Sequence, residues 1–496
     1  MSVAAMRARY DILTPTTSRR MKDNAMGGQP GRSLPKPPEK PLPARAYGLI
    51  FAVIIFLPQL TASGNPGTET PEITPERIAG TETTAPPAAS GTPGSSEAPE
   101  TVDTHITSVT MGTDEASKRS GAHAARAGTP IPSLLMDDHF IRDTRVAIEY
   151  LYNRDLETSL GKLSEWQRLY PEHPVWPLWE ALDAWWPVLI DLQNTTYDEH
   201  FLAMAGKVIE ACEAILDSDS NHMDALIVRS VINGQIARYY SNRYRWYRSF
   251  RHGRRALRDF FRIEEEHPHL PDIHFGVGMY LYFTAFLVEE YAIARRLSWM
   301  LPSGDRQEGL SRLAEAADSS IFVEPEATYF LGHIYLNFER EPDKALGYLR
   351  DLYHRYPDNS YYRRLYIRSL YQLNLHHEAL AAIHESLSHP MDPDSHESQT
   401  MREDLFAIRG LIRYYHQADP GGAKDDFLKA VAYAEKLTPF AERDNLILSL
   451  YYLGELSIRE GNRDMARFYY SRAATPDTDH PFVKKARKAL RVHRLD

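Results

Sequence analysis

The chain has 496 residues, with 57 Lys plus Arg against 67 Asp plus Glu and a formal net charge of −10. That is more chain than one compact core normally organises, and it lacks the basic balance that wholesale phosphate neutralisation requires, so no nucleic-acid partner is expected. A lone cysteine, Cys212, excludes an internal disulfide framework.

Residues 1–46 carry nine Lys or Arg against three acids and are broken by Pro35, Pro37, Pro38, Pro41 and Pro43. No buried face can form there, so this stretch reads as a basic disordered leader. An uncharged apolar run, Tyr47 to Leu57, follows, and then Pro58 and the small residues Thr61, Ala62 and Ser63. A positive flank, a short apolar segment and small residues are the parts of a secretory signal. The run is about half the roughly 20 apolar residues of a membrane span. Residues 47–63 are therefore expected to direct export with cleavage near Ala62 to Gly64, or else to stay as an N-terminal anchor, which would be the chain's sole membrane contact. No cysteine follows the run, which argues against a lipid-anchored form. From Gly64 to Pro132 the chain is Thr, Pro, Glu, Ala, Gly and Ser with few aromatic or branched apolar residues. It cannot offset the entropy of ordering and reads as a disordered tether.

Beyond Pro132 apolar positions recur three and four apart in segments broken by Pro, Gly, Asp or Asn, the pattern of successive helices with no strand alternation. Residues 133–496 are thus expected to form an all-α helical domain. Along the second helix of each presumed pair, a small residue is followed at +4 and +7 by packing residues and at +12 by a helix-ending proline. Ser159, Leu163, Trp166 and Pro171 fit, as do Ala256, Phe260, Ile263 and Pro268, and Ala345, Leu349, Leu352 and Pro357. The ladder recurs without proline at Ala205, at Gly309 and at Ala379. Its fullest copy is Leu453, Gly454, Gly461, Ala466, Tyr470 and Ala473, and Leu331, Gly332 and Tyr335 supply the first-helix half of another.

These positions resemble the tetratricopeptide repeat, a helix-turn-helix unit that stacks into an α-solenoid. A narrower stretch, with Gly278 to Tyr282, Leu297 to Arg306, Gly309, Leu310 and Glu326 to Gly332, is similar to bacterial envelope proteins of this kind, themselves distantly similar to the eukaryotic outer-membrane inclusion-clearance family. That resemblance implies the fold and a non-catalytic class. Ser303 to Arg306 is read as a turn, with Gly304 at its tight point and Asp305 or Ser303 capping the next helix.

A solenoid presents a concave groove lined by its first helices, so a protein or peptide bound in that groove is the expected partner. Arg238 to Arg262 holds nine Arg and one acid, Asp259. At 100° per residue Arg248, Arg251, Arg255, Arg258 and Arg262 share a stripe, while Trp246, Phe250, Gly253, Leu257, Phe260 and Phe261 fall opposite. Guanidinium forks suit carboxylate or phosphate, which points to an acidic peptide, an anionic glycan or a lipid headgroup. Tyr240, Tyr244 and Tyr247 join the stripe as candidate anchors, beside a second aromatic group, Trp176, Trp179, Trp185 and Trp186. Helix packing and neutralisation by Glu264 to Glu266 are the competing readings. His267, His269 and His274 lie in a Pro-rich loop without a ligand pattern, and His376 and His377 are read as solvent-exposed. No phosphate loop, GxSxG or HExxH occurs, so no cofactor is expected. Asn194 to Thr196 matches a glycosylation sequon. The expected role is a non-catalytic scaffold of the periplasm or cell envelope. A self-assembling repeat protein and an envelope hydrolase using acids such as Glu180, Asp183 and Asp191 are the alternatives.

Overall fold

The computed structural model describes residues 131–290, 304–439, 442–478 and 480–495. The leader, the apolar segment and all but the last two residues of the tether lie outside the described residues. Among those described there are seventeen α-helices and no strand, and no helix is long and apolar enough to cross a membrane. The helices run α1 (Asp138–Tyr152), α2 (Leu156–Leu169), α3 (Val175–Ile190), α4 (Asp198–Ser218), α5 (Met223–Asn242), α6 (Trp246–Glu266), α7 (Ile273–Glu290) and α8 (Arg306–Ser319). Then come α9 (Glu324–Ile334), α10 (Pro342–Arg355), α11 (Ser360–Gln372), α12 (His376–Ser388), α13 (His396–Tyr415), α14 (Pro420–Ala434), α15 (Asp444–Arg459), α16 (Arg463–Ala474) and α17 (Pro481–Val492). Each packs chiefly on its chain neighbours, giving an α-solenoid of eight consecutive pairs closed by one terminal helix.

Local chemistry sets the helix ends. Side chains of Asp137, Asp155, Asp305, Asn359, Ser395, Asp419 and Asn462 accept the first free backbone N–H groups of α1, α2, α8, α11, α13, α14 and α16. The turn inside a pair has its own rule. Arg154, Tyr244, Arg340, Asn374, Ala418 and Gly461 all take positive φ, between 50° and 74°, each between the first and second helix of its pair. The residue after four of them reaches back five positions: Asp155 N to Tyr150 O at 2.9 Å, Arg245 N to Tyr240 O at 2.8 Å, Leu375 N to Leu370 O at 2.9 Å and Asn462 N to Ser457 O at 2.8 Å. This left-handed cap satisfies carbonyls that the helix end would leave bare.

Close approach of the two helices in a pair explains the small-residue ladder. A Cβ placed on Gly332, Gly410 or Gly454 of the first helix would stand 2.7 Å from Leu349, 2.7 Å from Phe427 or 2.5 Å from Tyr470. Each of those contacts is the +4 member of the second-helix ladder. Gly309 of α8 meets the backbone N of Tyr282 at 2.5 Å by the same measure. Ala256, Ala345, Ala466 and Ala473 are buried. An eighth ladder, absent from the sequence reading, runs Ala423, Phe427 and Ala430 along α14, all fully buried.

Candidate functional site

The array curls far enough for α1 and α3 to touch α11, α13 and the segment before α15. Asn359 Nδ2 donates to Tyr152 O at 2.8 Å, and Asn153 and Asp358, 205 residues apart, exchange two hydrogen bonds. Arg364 donates to Ile190 O at 2.7 Å, and Trp186 packs edge-on against Tyr362. Arg154, in the left-handed turn after α1, pairs with Asp183 of α3 and with Glu397 of α13 at 2.7 Å. The deepest link is ionic. Arg443 reaches Asp191 at 2.7 Å and Glu403 at 2.6 Å, while Asp404 takes Arg368 at 2.7 Å and Arg364 at 3.2 Å. All four of Asp191, Glu403, Asp404 and Arg443 are buried. Burial raises the Asp191 carboxyl, but hydrogen bonding from His396 and the charge of Arg443 outweigh it and hold it at about 2. Burial dominates for Glu403, whose carboxyl is raised despite Arg443. Two of the acids considered for hydrolysis are thus committed to ion pairs, Asp183 to Arg154 and Asp191 to Arg443, and the third, Glu180, is exposed.

The inner sides of α1, α3, α5, α7 and α9, together with Ala256, Leu257, Phe260 and Ile263 on the apolar side of α6, surround a cavity of about 310 Å³. Its lining is mostly apolar, and its acids are engaged. Asp272 accepts from the backbone N of Phe322 at 2.7 Å, Val323 at 3.0 Å and Ile321 at 3.1 Å, and Glu326 pairs with Arg238 at 2.8 Å. The Arg238 guanidinium also lies over the rings of Trp185, Tyr329 and Phe330.

The arginine face lies elsewhere, on α6. Arg248, Arg251 and Arg258 are exposed, Arg255 and Arg262 are half-buried, and none lines the cavity. Arg254, not anticipated, adds a further exposed guanidinium. Leu257 and Ile263 on the other side are buried, so the amphipathic division holds in space. Counter-charges are few. Arg262 meets Glu266 at 3.7 Å and donates to Asn221, and Arg258 lies 3.7 Å from Asp259. That carboxylate is already gripped by both ends of the Arg229 fork, at 2.7 and 2.9 Å. Arg248, Arg251, Arg254 and Arg255 form no ion pair among the described residues. Burial, followed by the charges of Arg255 and Arg251, brings the His252 imidazole down to about 4. Tyr240 sits half-buried beneath Arg248, whereas Tyr244 and Tyr247 are 61% and 73% exposed.

The remaining singled-out residues have structural places. All four tryptophans of α3 are buried; Trp179 Nε1 donates to Ser159 Oγ at 2.9 Å and Trp176 Nε1 to Tyr170 O at 2.7 Å. Cys212 is fully buried, and that burial pushes its thiol up to about 12. Asn194, the sequon asparagine, is buried, accepts from Thr196 N at 2.9 Å and lies 3.3 Å from His396 Nε2. His376 differs from expectation: it is half-buried and stacks on His416 at 3.8 Å, so burial lowers it, with His416 adding to the effect. His274 lies 3.0 Å from Arg312, and no metal-holding cluster exists among the described residues. Asp305 caps α8, and Arg306 pairs with Glu339 at 2.7 Å and Glu289 at 2.9 Å.

No protein-family model matches the chain, and no curated protein does. Among solved structures, the crystal structure of yeast Tom70 is similar at 11% identity, covering 72% of this chain and 90% of that one with a TM-score of 0.26.

Proposed function

We propose that the chain is a non-catalytic scaffold that docks an acidic segment of a partner protein on the exposed face of α6, rather than in a concave groove. One observation carries this reading: four arginines without carboxylate partners stand beside two exposed tyrosines. A surface serving only solvation would intersperse acids. Charge-assisted forks supply attraction, and tyrosine adds the apolar area with a polar tip that protein interfaces favour over a purely ionic ligand. The engaged carboxylates of the cavity and of the closure cluster support the non-catalytic part. The basic leader and short apolar run support placement in the cell envelope, either exported or anchored.

The test is fluorescence anisotropy with a labelled Glu-rich peptide on the full chain. The triple change Arg248→Ala, Arg251→Ala and Arg254→Ala is expected to weaken binding about tenfold or more at unchanged melting temperature. Binding by the parent falls steeply with salt. Equal affinity of parent and triple variant overturns the reading. Preference for heparin or for anionic vesicles over the peptide also overturns it, in favour of a glycan or lipid ligand. Cell fractionation with N-terminal sequencing tests the localisation; a mature end near Ala62 to Gly64 is expected after export.

A further inference from the structure

The inner cavity meets the apolar side of α6, opposite the arginine face, and has its own chemistry. Leu182, Val231, Phe260, Met279 and Phe330 give it apolar walls. Two features distinguish it from a packing fault. Gly234, in the middle of α5, lines the cavity and has open space where its Cβ would stand. A mid-helix glycine is less favourable than alanine, so the room at this wall is kept at a cost to the helix. The second feature is polar. Gln235, the next residue, also lines the cavity, and its Oε1 is buried with no hydrogen-bond partner among the described residues. Buried amides in native interiors are almost always satisfied, so an orphan end beside an apolar chamber calls for a ligand group.

The nearby charges decide which group. Arg238 and Glu326 neutralise each other at 2.8 Å, and an incoming carboxylate would have to displace Glu326. A neutral hydroxyl both donates and accepts, so it satisfies either orientation of the Gln235 amide. A cavity of about 310 Å³ lies within the range of small-molecule sites and has room for a medium-length chain. We propose that the cavity binds a neutral apolar small molecule ending in a hydroxyl, of which a medium-chain aliphatic alcohol is the simplest member, with its chain between α3, α5 and α7 and its hydroxyl on Gln235.

Titration calorimetry on the full chain tests this with 1-decanol, decanoate and decane as probes. Decanol is expected to bind about tenfold more tightly than decanoate, and Gln235→Leu to reduce that affinity about five- to tenfold while leaving the melting temperature near the parent's. Val231→Trp fills the chamber and should abolish binding; Met279→Trp serves the same purpose if the first variant fails to fold. Absence of decanol heat in the folded parent, decanoate binding as well as decanol, or undiminished binding in a filled variant would each overturn the assignment.

Discussion

The first five pairs share one repeat with the last three, yet only the first five surround a chamber among the described residues while the last three pack into a continuous core. In the C-terminal part Gly410 and Gly454 let Phe427 and Tyr470 come within van der Waals contact of the helix backbone, and a continuous core runs from Leu346 to Leu495. In the N-terminal part Gly234 faces empty space, and the first helices stand around a chamber instead of filling it. Glycine permits close contact in both regions, Gly309 and Gly332 included, whereas Gly234 faces open space. The open region is attached to the packed one through Arg443 to Asp191, Arg154 to Glu397 and Asn359 to Tyr152.

The hardest blow to that attachment is Arg443→Met, which leaves Asp191 and Glu403 buried without their shared cation. A loss of about 3–5 kcal/mol is expected by chemical denaturation, with hydrogen exchange rising in α3 and α13 together. A loss confined to α15 would show that the two regions are not coupled by this cluster. The pH dependence has a definite sign. Asp191 is held at about 2 in the fold, below its ordinary value of about 3.9, so its contribution is fully present above pH about 4 and disappears as pH falls through about 2. Asp191→Asn should therefore flatten that part of the acid limb.

The contrast between the two glycine roles has a sharper test. Gly454→Ala puts a methyl group 2.5 Å from the Tyr470 ring and should cost about 1–3 kcal/mol. Gly234→Ala meets nothing within 4 Å and should stabilise the fold by about 0.5–1 kcal/mol through helix propensity. Thermal melts of both variants decide it; the same sign for both would mean that the chamber is not open at Gly234.

Sequence spacing exposes what is local and repeated. The ladder from Ser159 to Ala466 is legible because small residues recur at fixed offsets, and Ala423, Phe427 and Ala430 carry the same signal. The amphipathic division of α6 is legible for the same reason, since helical periodicity alone separates Arg251 from Leu257. Closure of the array is not. Asp191 and Arg443 are ordinary charged residues until the curl brings them together across 252 positions of chain. The chamber is silent too, because Leu182, Val231 and Met279 differ in no way from core residues until their surroundings are known.

The left-handed turns are the least legible feature and allow the finest test. Of the six intra-pair residues with positive φ only Gly461 and Asn374 are types that favour it, so the identity of Arg154, Tyr244, Arg340 and Ala418 does not announce the conformation. Ala418, exposed at φ 50°, has no side chain beyond Cβ to lose. Replacing it with glycine relieves roughly 1–2 kcal/mol of strain and adds roughly 0.4–1 kcal/mol of unfolded-state freedom, for a net gain of up to about 1.5 kcal/mol. Gly461→Ala is the reverse experiment, with φ 74° and open space around it, and should lose about 1 kcal/mol. Opposite shifts in the two melts would establish that the left-handed residue is strained in both turns; a loss in Ala418→Gly would mean that the turn of the seventh pair is held without strain.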